Sequence, residues 1–523
     1  MNGTERKELT SGFDVQAADL SGRWLVEASA GTGKTFALER IVLRLVIEEA
    51  VSIDRILVVT FTNAATAELR ERVRALFYKA SAVLKNGDEQ SEFETFFERS
   101  RLREHDPAAL IESALEHFDE ASILTIHGFC QKMLSEFIFT RAGAYDVEFV
   151  SDTGFEAEVT QAFLRRELPA LTPEQRAKVL EWGSLPQLLS KLGEHGSSVK
   201  PQARIDSDDL SDPTLKSLFE RFLQEGPRRV RELERLHGVK SFSALLTEMY
   251  SLVQSGDSAL ERIRNRYDAV LIDEFQDTDR IQYRIFKALF LADVPEAPKS
   301  VFFVGDPKQA IYAFRGAELD VYLQARNDIE QMGGQSESAG LRTLETNYRS
   351  TSALVTAVNA FFSANGSAGS FLSADIRYSD LKTGASAMPL VRIRDGKPEF
   401  VPVMSLWVDD ETLSGSKIEA VRQAEAKYMA DDIASLLDGS VYIYRHGQWR
   451  VLRPGDIAIL VKKRSASQHV QRELLARGVR TLLDDQTNVF TTSEADDVRA
   501  VFEAMLSPTD TKKFATARAT RLI

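Results

Sequence analysis

Cysteine is nearly absent from this sequence of 523 residues, with Cys130 as the only example. A single cysteine excludes an internal disulfide and is typical of a reducing compartment. Long apolar runs are missing as well, since no stretch approaches the roughly 18 apolar residues that a membrane-spanning helix needs. The amino-terminal stretch MNGTERKELTSGFDVQ also lacks the apolar core of a secretory signal. These absences predict a soluble cytoplasmic protein.

Positive charge is scarce too, because 65 Lys and Arg stand against 78 Asp and Glu, which gives a net charge of −13. This balance argues against a general binder of polyanions. It does not exclude a protein that holds one single strand of nucleic acid, since a local basic groove with aromatic faces is sufficient for that. Any prediction of DNA binding must therefore rest on local clusters.

The segment LVEASAGTGKTFALERIVLRLV, which begins at Leu25, reads as a strand, a small-residue loop and a helix. Glycines let backbone N–H groups approach a ligand closely, and the helix offers its positive N-terminus to an anion. Lys34 would reach the β- and γ-phosphates, and Thr35 would be a Mg²⁺ ligand. The predicted nucleotide-binding residues are Ala28, Ser29, Ala30, Gly31, Thr32, Gly33, Lys34 and Thr35. Ala28 stands where the pattern G-x-x-x-x-G-K-[ST] has glycine, so a glycine-rich helix cap stays open as an alternative.

Acidic residues close two later apolar runs, YDAVLIDEF and SVFFVGDP. Such runs are typical of a parallel sheet buried on both faces, in which ligands bind beyond the carboxyl ends of the strands. Asp273 and Glu274 end the first run, so one carboxylate would hold Mg²⁺ while the other orients the attacking water. An Asp-Glu pair alone is also typical of a strand end at the surface. Together with Lys34, the pair predicts phosphoryl transfer.

The segment VGDPKQAIYAFRGAE combines a polar side chain with aromatic and basic ones. Gln309 is able to hydrogen-bond a γ-phosphate. Phe314 and Tyr312 supply flat faces beside Arg315, an arrangement suited to single-stranded nucleic acid. Core packing is the alternative for these rings.

Two further segments repeat this theme. In VVTFTNAATAELRERV, Phe61 and Thr62 follow an apolar run, and Asn63 is predicted to cap a helix. In LETNYRSTSAL, Tyr348 and Arg349 precede another helix, and the arginine could reach a γ-phosphate from a second domain. His127 lies near Cys130 in ASILTIHGFCQKML, but no second Cys/His pair is close by, so a metal site is not predicted there.

The chain alternates strands and helices at first, then changes to a helical pattern, and later returns to an α/β pattern. The second α/β part contains EFVPVMSLWV and GDIAILVKK as strand-like runs and a long helix around KIEAVRQAEAKYMADDIASLL. It has too few strands for a full sheet. The predicted division is a first α/β domain over 1–138 and 258–345, a helical insertion over 139–257, and an incomplete second α/β domain over 346–523.

Six segments resemble, in order, the motifs of UvrD-like superfamily 1 helicases: Ala28–Thr35, Val59–Glu68, Ile123–Phe129, Val270–Asp277, Val304–Ala317 and Leu344–Ser350. The phosphate loop of that superfamily commonly reads A-x-x-G-x-G-K-T, so Ala28 fits it. EASAGTGKTFAL and GDPKQAIYAFRGAE are more similar to the beta subunits of exodeoxyribonuclease V (RecB type) than to solitary UvrD helicases.

The resemblance implies a 3′→5′ DNA motor that is powered by ATP and acts in double-strand-break repair and recombination. It implies two RecA-like P-loop domains that close on ATP and Mg²⁺, with Lys34, Thr35, Asp273, Glu274, Gln309 and Arg349 around the phosphates. Thr35 and Asp273 would hold the metal, Tyr348 would lie against the adenine, and Gln16 would contact its edge. Phe61, Thr62, Phe314 and Arg315 would contact DNA. Single-stranded DNA, duplex ends, and the gamma and alpha subunits of exodeoxyribonuclease V are the implied partners.

The later motifs of this superfamily, its second-lobe insertion and the nuclease domain of the RecB type have no counterpart in the sequence. An arginine that completes a phosphoryl-transfer site is worth on the order of 10³–10⁵ in rate. We therefore expect the chain alone to bind ATP·Mg²⁺ but to hydrolyse ATP slowly. A solitary UvrD-type repair helicase and a non-catalytic, ATP- and DNA-binding assembly module are the alternatives.

Overall fold

The computed structural model describes residues 11–87, 91–138, 148–150, 154–181, 213–255, 258–311, 319–334, 338–363, 376, 378–384, 387–407, 418–445, 447–461, 464–483 and 492–522. The chain divides into two compact units, Met1–Ser386 and Ala387–Ile523. Each unit buries hydrophobic clusters of its own.

The strands of the first unit are β1 Ser11–Gly12, β2 Gly22–Ala28, β3 Ile56–Thr60, β4 Ser122–Thr125, β5 Glu148–Val150, β6 Val239–Ser241, β7 Ala269–Ile272, β8 Ser300–Gly305, β9 Ala339–Leu344, β10 Thr346–Asn347 and β11 Lys382–Thr383. Its helices are α1 Lys34–Glu49, α2 Asn63–Asn86, α3 Glu94–Leu102, α4 Pro107–Glu116, α5 Ile126–Ile138, α6 Phe155–Ala170, α7 Pro173–Glu181, α8 Pro213–His237, α9 Phe242–Gln254, α10 Ser258–Arg264, α11 Arg280–Phe290, α12 Leu319–Gly333 and α13 Ser352–Ser363. Among the helices that the structure describes in either unit, none combines the length and the apolar character that crossing a bilayer requires.

A seven-stranded sheet organises the described part of the first unit, in the order β1-β9-β2-β8-β7-β3-β4. Every neighbouring pair in it is parallel. The four apolar runs that the sequence marks as strands are β2, β3, β7 and β8, so this part of the prediction is confirmed. Because the strands are parallel, their carboxyl ends meet at one edge of the sheet, where ligands bind in such folds.

Both faces of this sheet are covered, and alternate residues of each central strand point to opposite sides. On β3, Ile56 and Val58 belong to one core cluster, whereas Leu57 and Val59 belong to the other. The first cluster also contains side chains of α1, α2, α3 and α4, and the second contains side chains of α5, α9, α11 and α12. Burial on both faces explains why these strands read as continuous apolar runs.

Helices α6, α7 and α8 enclose a separate small core that contains Phe163, Leu164 and Phe222. Strands β5 and β6 form a short parallel pair within the range for which the sequence predicts a helical insertion. Helix α9 departs from the predicted insertion because its apolar face, with Leu245 and Met249, packs into a core cluster of the main sheet. Parts of the predicted insertion, 139–147 and 182–212, lie outside the described residues.

The second unit contains the strands β12 Val391–Arg394, β13 Lys397–Phe400, β14 Val441–Arg445 and β15 Gln448–Val451, and the helices α14 Ile418–Leu436, α15 Arg464–Ala476, α16 Ser493–Leu506 and α17 Thr511–Arg518. The four described strands form an antiparallel sheet in the order β13-β12-β14-β15. Asp395 (φ 50°) and Gly396 (φ 73°) turn the chain between β12 and β13. Helices α14 and α15 pack together through Ala430, Ile433 and Leu474.

Two predicted strands of this unit are wrong. In EFVPVMSLWV the strand ends at Phe400, and residues 401–407 do not continue it. In GDIAILVKK, residues 457–461 pair with no strand among the described residues. An apolar run becomes a strand only where a neighbouring strand takes its hydrogen bonds. The long helix predicted between them is α14 and is confirmed.

The segment after β9 packs with the first unit. Strand β10 pairs in parallel with β11, and Gly384 N–H donates to Asn347 O at 3.0 Å. The compact unit therefore extends beyond residue 345, where the sequence predicts a domain boundary, to Ser386. The predicted domain ranges stay predictions.

Candidate nucleotide-binding site

The loop between β2 and α1 has the backbone that a phosphate-binding loop requires. Gly31 (φ 78°) and Gly33 (φ 89°) both adopt the left-handed conformation, which costs glycine little. Helix α1 begins at Lys34, and within the described part of the chain no side chain caps its N-terminus. Its first N–H groups and the positive end of its dipole therefore point to where an anion would bind.

Lys34 and Glu274 meet at the carboxyl edge of the sheet, although 240 positions separate them in the sequence. The distance from Lys34 Nζ to Glu274 Oε2 is 2.5 Å. Glu274 has a φ of 49°, a left-handed conformation that is strained for a residue other than glycine. This turn directly follows Asp273. The N–H of Asp273 donates to Val59 O of β3 at 2.8 Å. The charge of Lys34 also acts on Asp273, where it partly offsets the rise in the pKa that burial causes.

Besides its bond to Glu274, Lys34 acts electrostatically on two further carboxyl groups, Asp273 and Asp277. Burial, reinforced by the charge of Glu274, raises the pKa of Asp273 to about 6. The same two causes raise the pKa of Asp277 to about 6. Asp277 is buried, and its Oδ1 has no hydrogen-bond partner among the residues that the structure describes. The cluster therefore carries more negative charge than Lys34 compensates.

This excess charge fits a divalent cation. Within the described residues, no three His, Cys, Asp or Glu side chains are grouped as a complete metal site. Mg²⁺ is usually held by one or two protein ligands together with substrate phosphates. The predicted metal ligands are Asp273, which directly precedes Glu274, and Thr35, which directly follows Lys34. These two residues would hold the Mg²⁺ ion.

A chain of hydrogen bonds extends from Glu274 to the end of β8. Gln276 Nε2 donates to Glu274 Oε2 at 2.7 Å, and Gln276 Oε1 accepts from Asp306 N–H at 2.9 Å. Gln309 Nε2 in turn donates to Asp306 Oδ2 at 2.7 Å. A Cβ on Gly305 would lie 2.6 Å from Gln276 Oε1, so a side chain there would displace the Gln276 amide from this network. Lys34, Glu274 and Gln309 thus share one network.

Asn347 joins the phosphate loop to the segment after β9. Its Nδ2 donates to Ala30 O at 3.0 Å, and its Oδ1 accepts from Arg349 N–H and Ser350 N–H. Beside it, Tyr348 N–H donates to Gly31 O at 2.9 Å. The backbone of the predicted adenine-binding residue is therefore fixed against the loop.

Aromatic and basic side chains at this edge remain accessible. The Tyr348 side chain is 63% exposed, and Phe36, in the first turn of α1, is 41% exposed. The Arg349 side chain is exposed as well. Gln16 follows β1, and its backbone carbonyl accepts a hydrogen bond from Arg99 Nη2. The contacts of Tyr348, Arg349 and Gln16 with a nucleotide stay predictions.

The predicted DNA-contacting residues are described only in part. Phe61 is half-buried and Thr62 is exposed at the end of β3. The helix cap predicted at Asn63 is wrong: Thr62 is the N-cap of α2, and its Oγ1 accepts from Ala65 N–H at 3.1 Å. The N-cap is the residue before the first helical one. Because α2 begins at Asn63, that residue is Thr62. Tyr312, Phe314 and Arg315 lie outside the described residues.

The sequence analysis missed Gln276, Asp306 and Asn347, which connect the predicted residues to one another. Gln276 stands two residues after Glu274 in DEFQDT, and Asn347 precedes Tyr348 in ETNYR. A polar side chain next to a motif residue was a weak signal. The bonds from Gln276 to Asp306 and from Asn347 to Ala30 join distant parts of the sequence, so only the folded chain identifies them.

Comparison with known proteins agrees with this geometry. The family model described as UvrD/REP helicase N-terminal domain matches residues 13–330, and the UvrD-like helicase C-terminal domain matches residues 342–520. The RecBCD enzyme subunit RecB of Escherichia coli (strain K12) is 26% identical over 99% of this chain and 52% of its own length. The protein of the same name from Mycobacterium tuberculosis (strain H37Rv) is 30% identical over 92% of this chain and 42% of its own length.

A third relative, RecB of Mycolicibacterium smegmatis, is 29% identical over 92% of this chain and 42% of its own length. The chain thus spans about half the length of the curated relatives it matches. The N-terminal family model alone covers more than half of the chain, and the C-terminal model covers most of the rest, so this chain belongs to the UvrD/REP helicase family.

Proposed function

We propose that this chain is the ATP-binding motor part of a RecB-type DNA helicase, which moves 3′→5′ along DNA in double-strand-break repair and recombination. The observation that carries the proposal is the continuous network from Lys34 through Glu274, Gln276 and Asp306 to Gln309. Three segments that are distant in the sequence meet there, beside an uncapped helix N-terminus. This is the arrangement that positions a triphosphate for hydrolysis.

Each group has a distinct task in this proposal. Lys34 gives up its bond to Glu274 and binds the β- and γ-phosphates, which frees the Glu274 carboxylate to orient the attacking water. Bound Mg²⁺, held by Thr35 and Asp273, would neutralise the charge on the phosphates. Gln309 and Arg349 would contact the γ-phosphate, and Tyr348 and Gln16 would bind the adenine.

DNA contact is proposed for Phe61, Thr62, Phe314 and Arg315. Support comes from the position of Phe61, which lies two residues after Val59, and Val59 O accepts the Asp273 N–H. A movement of Asp273 on ATP binding would therefore reach the segment after β3, where Phe61 would stack on a DNA base. Stacking on an aromatic ring is worth about 1–3 kcal/mol per base and tolerates any sequence, as a motor needs.

The proposed partners are single-stranded DNA, duplex ends, and the gamma and alpha subunits of exodeoxyribonuclease V. The relatives carry the name of a RecBCD enzyme subunit, which supports assembly into such a complex in the cytoplasm. Co-expression with both subunits and recovery of a stable complex would test this. A solitary UvrD-type helicase would not co-purify with them.

The central experiment compares the wild-type chain with Lys34→Ala and Glu274→Gln, using ATP binding and DNA-stimulated phosphate release as readouts. We expect Lys34→Ala to lose ATP binding. Glu274→Gln should bind ATP but hydrolyse it about 10²–10⁴-fold more slowly, the range for a lost acid–base group. Arg229→Gln, in an exposed ion pair with Glu232, is the control that should change neither. Equal phosphate release by wild type and Glu274→Gln would instead favour an assembly module.

A further inference from the structure

A buried lysine lies beside the proposed site without belonging to the phosphate loop. The Lys308 side chain is 11% exposed and bonds two carboxylates, Glu27 Oε1 at 2.7 Å and Asp306 Oδ1 at 2.9 Å. Asp306 itself is 2% exposed. A buried charge of this kind is stable only when paired, so the three groups depend on one another.

The sheet register brings these groups together. Glu27 on β2 lies opposite Gly305 on β8, and Asp306 follows Gly305 directly. Asp306 is also the N-cap of a short 3₁₀ turn, Pro307–Gln309, where its Oδ1 accepts from Lys308 N–H at 3.1 Å. The residue before the phosphate loop and the residue before Gln309 are therefore joined by one ion pair.

Asp306 divides its two oxygens between two tasks. Oδ1 is taken by Lys308, and Oδ2 accepts from Gln309 Nε2 at 2.7 Å. Because an ionised carboxylate only accepts hydrogen bonds, it fixes the amide of Gln309 with a nitrogen toward Asp306. Without the lysine, Asp306 would be a buried charge held by amide donors alone, and it would protonate or move. Either change would release Gln309.

We propose that Lys308 is a positioning residue, which holds Gln309 in place through Asp306 and connects it through Glu27 to the strand that leads into the phosphate loop. This inference rests on the proposed function, because it assigns a purpose to Gln309 at the γ-phosphate. Glu27 immediately precedes Ala28, the first predicted loop residue, so a shift of the loop on ATP binding reaches Lys308 through one side chain. Coupling of this kind acts in both directions.

The test compares Lys308→Met, Lys308→Arg, Gln309→Ala and the double variant Lys308→Met/Gln309→Ala in the full chain. Single-turnover hydrolysis of radiolabelled ATP, with protein in excess, measures the chemical step, and fluorescent ATP binding measures affinity. We expect Lys308→Met to slow hydrolysis about 10- to 100-fold, the effect of a lost charge-assisted hydrogen bond, with affinity changed less than about threefold. Lys308→Arg should restore most of the rate.

The double variant separates positioning from mere loss of structure. If Lys308 acts through Gln309, the double variant is no slower than Gln309→Ala alone. Lys287→Met is the matched control, since it breaks a 2.6 Å pair with Asp328 in the same unit and should leave hydrolysis unchanged. Glu27→Gln, which keeps the side-chain shape, should reproduce a weaker form of the defect if Lys308→Met fails to fold.

If the wild-type chain hydrolyses ATP and Lys308→Met does so at the same rate, this inference is overturned and the proposed function stands. The same holds for Glu27→Gln if Lys308→Met fails to fold. Multiplying effects in the double variant would also overturn it. A wild-type chain that neither binds nor hydrolyses ATP would contradict the proposed function itself.

Discussion

At the scale of single residues, the site depends on one residue with an unusual backbone conformation and one polar residue that is unusually buried. Glu274 adopts a left-handed backbone without being glycine, and Asn347 is 5% exposed although it is polar. Strain of this kind, about 1–3 kcal/mol, persists only where the surroundings hold it. Here Lys34 and Gln276 both hold the Glu274 carboxylate.

Asn347 offers the sharpest test at this scale. Replacing Asn347 with Ala removes the acceptor of two backbone N–H groups and the donor to Ala30 O, all next to the phosphate loop. A buried group left without its partner costs about 1–3 kcal/mol, so we expect the Kd for ATP to rise about tenfold. Titration with a fluorescent ATP analogue measures this.

Asn359→Ala is the matched control for that variant. Asn359 also bonds through both side-chain atoms, to Leu381 O, Leu381 N–H and Tyr378 OH, but none of these belongs to the loop. We expect it to lower thermal stability with little effect on the Kd. Equal losses of affinity in the two variants would show that Asn347 has no special relation to the nucleotide.

At the scale of elements, burial decides what the sequence predicts. Strands β2, β3, β7 and β8 are buried on both faces, so their apolar runs are unambiguous. The hairpin of β12 and β13 was missed, although Asp395-Gly396 is a strong turn signal. Its strands hold Arg392, Arg394 and Lys397 and lack an apolar run.

The site shows the same division between local and distant information. The phosphate loop and the Asp273-Glu274 pair are readable because each is a compact pattern before or after a strand. The bond between Gln276 and Asp306 joins the segments that follow β7 and β8, and the bond between Asn347 and Ala30 joins β10 to the loop after β2. Such bonds depend on strand order and register, which no single segment encodes.

Helix α1 carries a buried ion pair that tests how the element is held. Arg44 and Glu48 are 3% and 1% exposed, and two hydrogen bonds of 2.8 and 3.0 Å join them. Arg44→Met should lower the free energy of unfolding by about 3–5 kcal/mol, because Glu48 stays buried without its main partner. Arg44→Met/Glu48→Leu should recover most of the loss, as measured by urea unfolding. A double variant as unstable as the single one would contradict this reasoning.

At the scale of the whole molecule, the net negative charge does not indicate the phosphate loop that the first unit contains. The net charge of −13 gives no sign of a polyanion site, yet the phosphate loop and its partners converge within the first unit. Lys34, Glu274, Gln309 and Asn347 all belong to that unit, whereas the second unit has a core of its own around Ala430 and Leu474. Ligand binding should therefore stabilise the two units unequally.

Calorimetry of the full chain tests this expectation. We predict two unfolding transitions, of which ATP·Mg²⁺ raises the Tm of one, since ligand at 100 times its Kd adds about 2.7 kcal/mol to the unit that binds it. Leu474→Ala, a buried truncation in the second unit, should lower the other transition and so assign both. Lys34→Ala should abolish the ATP-dependent shift without moving either transition in the absence of nucleotide by more than a few degrees, about the effect of 1 kcal/mol. A shift confined to the transition that Leu474→Ala lowers would place nucleotide binding in the second unit and contradict the assignment of the site to the first.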